Sequence, residues 1–156
     1  LNPLFIIVLA PIASFIWENL RRIRKEPSSA EKFSISFLLM TFAYMVMTYA
    51  GYLSYSTKIS ALWLVVVYLI MTMSELCISP IGLSLVSKLA PKRFLSLIMG
   101  CWFLTSFFGN LIAGFWGGKY ETMCHVQLFG ILSLVSFVSF LALLFFLPRL
   151  NKIIKN

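Results

Sequence analysis

Glu75 is the only charged residue in 61–86, a stretch that reads ALWLVVVYLIMTMSELCISPIGLSLV. A carboxylate at the centre of a bilayer costs roughly 2.5–3.5 kcal/mol on insertion scales, so one found there has a task. The default tasks are to hold a substrate or ion, or to carry a proton. Ser79 follows four residues later on the same helix face, Pro80 is next to it, and Gly82 lies one further turn along. Burial favours the protonated carboxyl and a nearby cation favours the ionised one, so a group in this setting can trade a proton for an ammonium. A structural ion pair with another helix is the competing reading.

Other polar positions carry weaker signals. Trp102, Ser106, Asn110, Gly114 and Gly118 recur at every fourth residue, on one slowly drifting ridge. Small residues at that spacing let helices approach closely, so packing is the favoured reading for Asn110 and the glycines. Trp102 and Phe103, by themselves, read as ordinary aromatic residues facing lipid or core. Asn2, followed by Pro3, reads as a helix cap.

The composition excludes several functions. The chain has 156 residues, 60% hydrophobic and only 12% charged, which is the balance of a polytopic membrane protein. Its net charge of +8 does not signal a nucleic-acid partner, because the basic residues gather in short loops between apolar spans. Cys77, Cys101 and Cys124 form no disulfide framework and no metal spacing, and His125 is the only histidine. No basic residue or histidine in the spans could pair with Glu75 for catalysis. No enzyme, metal site or cofactor is expected.

The elements that must position these residues are five apolar spans, at about 1–17, 33–53, 61–86, 94–116 and 126–147, with a cytoplasmic tail at 148–156. Each is a helix candidate, since lipid offers backbone groups no partner, and 20 continuous apolar residues exclude the alternation of barrel strands. The first span is short. The chain opens on Leu1 without a basic leader or cleavage site, so it reads as a truncation and not as a signal peptide.

If each span crosses once, the segments 18–32, 87–93 and 148–156 share one side. They hold Arg21, Arg22, Arg24, Lys25, Lys32, Lys88, Lys92, Arg93, Arg149, Lys152 and Lys155, which is 11 of the 13 basic residues; Lys58 and Lys119 fall on the other side. That asymmetry predicts a multi-pass protein of the inner (plasma) membrane, with its N-terminal end outside and its C-terminus cytoplasmic. Tyr49, Tyr52, Tyr55 and Trp63, then Trp116 and Tyr120, gather at the outer edge as an interfacial belt. Pro11 and Pro80 sit within spans, where neighbouring helices tolerate the lost hydrogen bond, and a bend at Pro80 would open the Glu75 region to water.

Taken together, these stretches resemble the proton-dependent oligopeptide transporter (POT) family of the major facilitator superfamily. Glu75-Leu76-Cys77-Ile78-Ser79-Pro80-Ile81-Gly82-Leu83-Ser84, followed by Lys88-Leu89-Ala90-Pro91, looks like the signature of that family's tenth core helix. Met99-Gly100-Cys101-Trp102-Phe103-Leu104 and Gly109-Asn110-Leu111-Ile112-Ala113-Gly114 look like its eleventh. Asn2-Pro3-Leu4-Phe5-Ile6-Ile7, Pro11, Trp17 and the link from Pro27-Ser28 to Lys32-Phe33 resemble its eighth and ninth.

The resemblance implies an all-α membrane protein whose five transmembrane helices form most of the C-terminal half of a major facilitator fold. It also implies substrate-binding roles. Glu75 would meet the peptide's amino terminus, Ser79 would line the same pocket, Asn2 would contact the peptide, and Trp102 and Phe103 would line a side-chain pocket. The implied partners are di- and tripeptides, protons as the coupling ion, the lipid bilayer, and the missing N-terminal helices of the same transporter. The family's Glu-x-x-Glu-Arg motif of the first helix and its seventh-helix motif have no counterpart in these residues. Those helices would supply the residues for the proton and for the peptide carboxylate. Two other functions stay open: another facilitator-type symporter carrying sugars or drugs, and a non-transporting membrane remnant.

Overall fold

The computed structural model describes residues 2–23, 26–56, 58–119 and 123–154. The readings placed on Leu1, Arg24, Lys25, Tyr120 and Lys155 lie outside the described residues. Five α-helices follow one another: α1 (Asn2–Arg22), α2 (Ser29–Leu53), α3 (Leu62–Leu89), α4 (Leu95–Gly118) and α5 (His125–Ile154). A single 3₁₀ turn, Lys92–Phe94, leads into α4, and no strand occurs among the described residues. Each of the five helices is long and apolar enough to cross a membrane. The protein has an all-α membrane fold.

Local chemistry sets the helix ends. Pro27 precedes Ser28, whose hydroxyl accepts the Glu31 N–H at 3.2 Å while the Glu31 carboxylate accepts the Ser28 N–H at 2.6 Å. This reciprocal cap starts α2 at Ser29, four residues before its apolar run begins. Pro91 ends α3, because a residue before proline avoids helical geometry; Ala90 is extended, with ψ of 129°. α1 runs on past Trp17 to Arg22, and α5 passes through Pro148 to Ile154, where the sequence suggests a tail. A proline removes one hydrogen bond, and the turns on either side of it hold the rod together. α3 likewise runs through Pro80 as one helix.

α2 is the spine, packed on α5 at one side and on α3 at the other, and α3 also carries α1 and α4. Most of the buried residues are small, among them Ala13, Ala30, Ser34, Ser36, Thr41, Ala43, Ala50, Ser74 and Cys77, with Val67, Leu128 and Lys32 the larger exceptions. Large side chains such as Phe15, Phe42, Phe107 and Phe145 point outward. That inversion suits helices in lipid, where close approach of backbones, and not apolar burial, drives packing. Between α2 and α3, Ser36 Oγ donates to the Ser74 carbonyl at 2.8 Å and Ser74 Oγ donates to the Ser36 carbonyl at 2.9 Å. Both serines are fully enclosed, so the two hydroxyls form a symmetric clasp.

The ridge on α4 departs from expectation. No residue of α4 is buried, and a side chain added at Gly114 or Gly118 would meet no atom within 4 Å. Periodicity shows that a backbone could approach there, but among the described residues none does. α4 meets α3 alone. The close approach falls instead at Gly82, where a Cβ would stand 2.6 Å from Trp102 Cζ2, still nearer to Cη2, and 3.1 Å from Phe33 Cζ.

Candidate functional site

The middle of α3 carries the polar constellation. Glu75 lies thirteen residues after Leu62 and fourteen before Leu89, hence about 20 Å from either end at 1.5 Å per residue. Tyr68, Thr72, Glu75, Ser79 and Gly82 share one face at helical spacing. Glu75 and Ser79 are exposed on that face, while Thr72 is completely buried beside α1.

Asn2, in the first turn of α1, reaches across to this face. Its Nδ2 donates to Glu75 Oε2 at 2.9 Å, and its Oδ1 lies 2.7 Å from the Thr72 hydroxyl. The Asn2 side chain therefore bridges two helices, a role that a capping residue would not fill. Thr72 Oγ1 is also 2.8 Å from the Tyr68 carbonyl of its own helix. The sequence reading missed Thr72, because a hydroxyl in an apolar helix commonly bonds its own backbone and its partner here is 70 residues away.

Among the described residues no cation forms a salt bridge with Glu75. An ionised carboxylate offers about four acceptor positions, and one is in use here. The rest face the open side of α3. Ser79, one turn on, has no hydrogen-bond partner among the described residues and extends the polar stripe.

The indole of Trp102 lies on Gly82, about 10 Å further along the axis from Glu75 by helical rise. Gly82 shares the Glu75 face, so the ring sits at the end of the same stripe that lies toward Leu89. Phe103, next in sequence and about 100° around α4, is 61% exposed. The structure thus joins Asn2 to Glu75, aligns Ser79 and Trp102 with them, and leaves Phe103 apart.

A separate cavity of about 570 Å³ opens between α1, α2 and α3 nearer the basic loops. Trp17, Glu18, Arg21, Glu26, Lys32 and Pro80 are among its walls. Glu26 ties the two helices together, accepting from Arg21 Nε at 3.0 Å and from Lys32 Nζ at 2.6 Å. Lys32 is buried, with its ammonium 4.7 Å from the centre of the Trp17 ring. The hydrogen bond from Arg21, and next that from Lys32, hold the Glu26 carboxyl below the ordinary carboxylate range.

Residues 1–125 match the sequence profile of the POT family. The chain belongs to that family. A peptide transporter of Yersinia enterocolitica, YePEPT, is 45% identical over 121 residues, covering 76% of the chain and 24% of that protein. YclF of Bacillus subtilis, an uncharacterised transporter, is 34% identical over all 156 residues and 31% of its own length. A POT family transporter solved with a thioalcohol-conjugated peptide superposes with a TM-score of 0.84 at 38% identity, covering 95% of this chain and 30% of that one. The POT chain described here therefore spans less than a third of the length of these relatives.

Proposed function

We propose that this chain is the C-terminal part of a proton-coupled di- and tripeptide importer that works by alternating access. The observation that carries the reading is the Asn2–Glu75 contact. A carboxylate at mid-span, with one acceptor position taken by an amide and no cation paired to it among the described residues, is built to receive an ammonium. A peptide's amino terminus would dock on the free positions of Glu75, with Ser79 and Asn2 beside it and Trp102 and Phe103 toward its side chains. Protonation of the same carboxyl would release that ammonium, which links peptide movement to the proton gradient. The relatives named as peptide transporters support this choice of substrate. The basic loops support an orientation with α1 starting outside and α5 ending in the cytoplasm of the plasma membrane.

The test is competition in liposomes holding the full-length protein, acidic outside, with uptake of a labelled dipeptide as the signal. Unlabelled di- and tripeptides should block uptake and sugars should not. Block by sugars would favour a different facilitator substrate, and no uptake at all would favour a non-transporting remnant.

A further inference from the structure

The Thr72 hydroxyl has one proton and two acceptors, the Asn2 side-chain oxygen at 2.7 Å and the Tyr68 carbonyl at 2.8 Å. Thr72 is completely buried, so water does not compete for that proton. An asparagine amide can turn over by 180°, which exchanges its oxygen and nitrogen. With the Thr72 hydroxyl donating to the oxygen, the Asn2 NH₂ is left facing Glu75, the arrangement observed at 2.9 Å. Turned over, the amide oxygen would face the carboxylate and the NH₂ would face a hydroxyl drawn toward Tyr68. Thr72 is bonded either way, since its hydroxyl can accept from the NH₂ while donating to Tyr68. Only the second arrangement sets the amide oxygen against the carboxylate, so Glu75 selects the orientation and Thr72 anchors it.

We infer that Thr72 is a positioning residue: its hydroxyl anchors the Asn2 amide against α3, so that the NH₂ stays on one oxygen of Glu75 and the other oxygen is presented to the open face. The Tyr68 carbonyl completes the device. When Asn2 moves away, the Thr72 proton turns to that carbonyl, so no buried donor is left unpaired and the release costs little. Thr72 acts through Asn2 and has no contact with Glu75 of its own. Its effect on peptide binding rests on the function proposed above, whereas its effect on Asn2 and Glu75 does not.

The experiment uses the full-length protein in lipid nanodiscs, with ¹³C-labelled glutamate, as Thr72→Val, Thr72→Ser, Asn2→Ala and the Asn2→Ala/Thr72→Val pair. The first readout is the infrared carboxylate band of Glu75, identified as the band lost in Glu75→Gln. It should shift the same way in Thr72→Val and Asn2→Ala, stay at the wild-type position in Thr72→Ser, and shift no further in the pair. A wild-type band in Thr72→Val, or a further shift in the pair, overturns the inference. The second readout is dipeptide affinity. Loss of one hydrogen bond predicts a Kd raised roughly 3- to 10-fold in Thr72→Val, rescued by Thr72→Ser and absent on the Asn2→Ala background. If wild-type protein binds no dipeptide while the band shifts hold, the peptide reading fails and the role of Thr72 stands. If dipeptide binds and Thr72→Val leaves both readouts at wild type, the inference fails alone.

Discussion

Trp102 lies where Gly82 has no side chain. A Cβ on Gly82 would come within 2.6 Å of the ring at Cζ2, with Phe33 closing the other side at 3.1 Å. This close approach between α3 and α4 is thus made by an aromatic edge over a glycine, at the end of the face carrying Glu75 and Ser79 that lies toward Leu89.

That relationship predicts a specific double-mutant pattern. Gly82→Ala must move the indole, because the tip of the ring is the part that can swing away. The cost should be about 1 kcal/mol, at the lower end of overpacking penalties, and it should nearly vanish in a Trp102→Ala background. Thermal unfolding of the purified protein, with tryptophan emission followed in parallel, measures both. An equal cost in the two backgrounds would show that the ring does not occupy that space.

The Ser36–Ser74 clasp predicts a different form of non-additivity. Either serine replaced by alanine loses its own bond to a carbonyl and the 2.7 Å contact between the two hydroxyls, while the other hydroxyl keeps its carbonyl. Each single variant should lose about 0.5–1.5 kcal/mol, and the double variant less than the sum of the two, because the contact between the hydroxyls is lost only once. Full additivity, read from unfolding in a mild detergent series, would show that the serines act independently.

Five helices and the position of Glu75 were legible in the sequence because length, apolarity and a lone charge are local properties. The extension of α2 back to Ser29 was less so, since 29–32 is polar and only the reciprocal Ser28–Glu31 cap reveals that it is already helical. The Gly114–Gly118 ridge was legible only as a pattern for a related reason. Small residues at that spacing permit a partner without naming one, and α4 has none on that side among the described residues. Thr72 was invisible because its meaning depends on a side chain 70 residues earlier. Asn2 and Trp102 gained weight from the family resemblance alone; their own positions suggested a cap and an ordinary membrane aromatic.

The link between α1 and α2 should respond to acid. The Glu26 carboxyl sits below its ordinary range, first through Arg21 and then through Lys32. A lowered folded value means that the contribution is complete above the ordinary glutamate range and is lost as pH falls through the folded value. Wild-type protein should therefore unfold at a higher temperature than Glu26→Gln at neutral pH, and the two should converge in acid. A gap that persisted in acid would show that the carboxylate's charge is not what joins Arg21 to Lys32.

The most direct measurement concerns Glu75 itself. Glu75→Gln keeps the size of the side chain and an oxygen for Asn2 to bond, so the fold and the α1–α3 contact should survive with an unchanged unfolding temperature. Dipeptide-driven proton uptake into liposomes holding the full-length protein should disappear in this variant. Uptake at the wild-type rate would contradict the account, since it would leave the carboxylate with no part in carrying either the peptide or the proton.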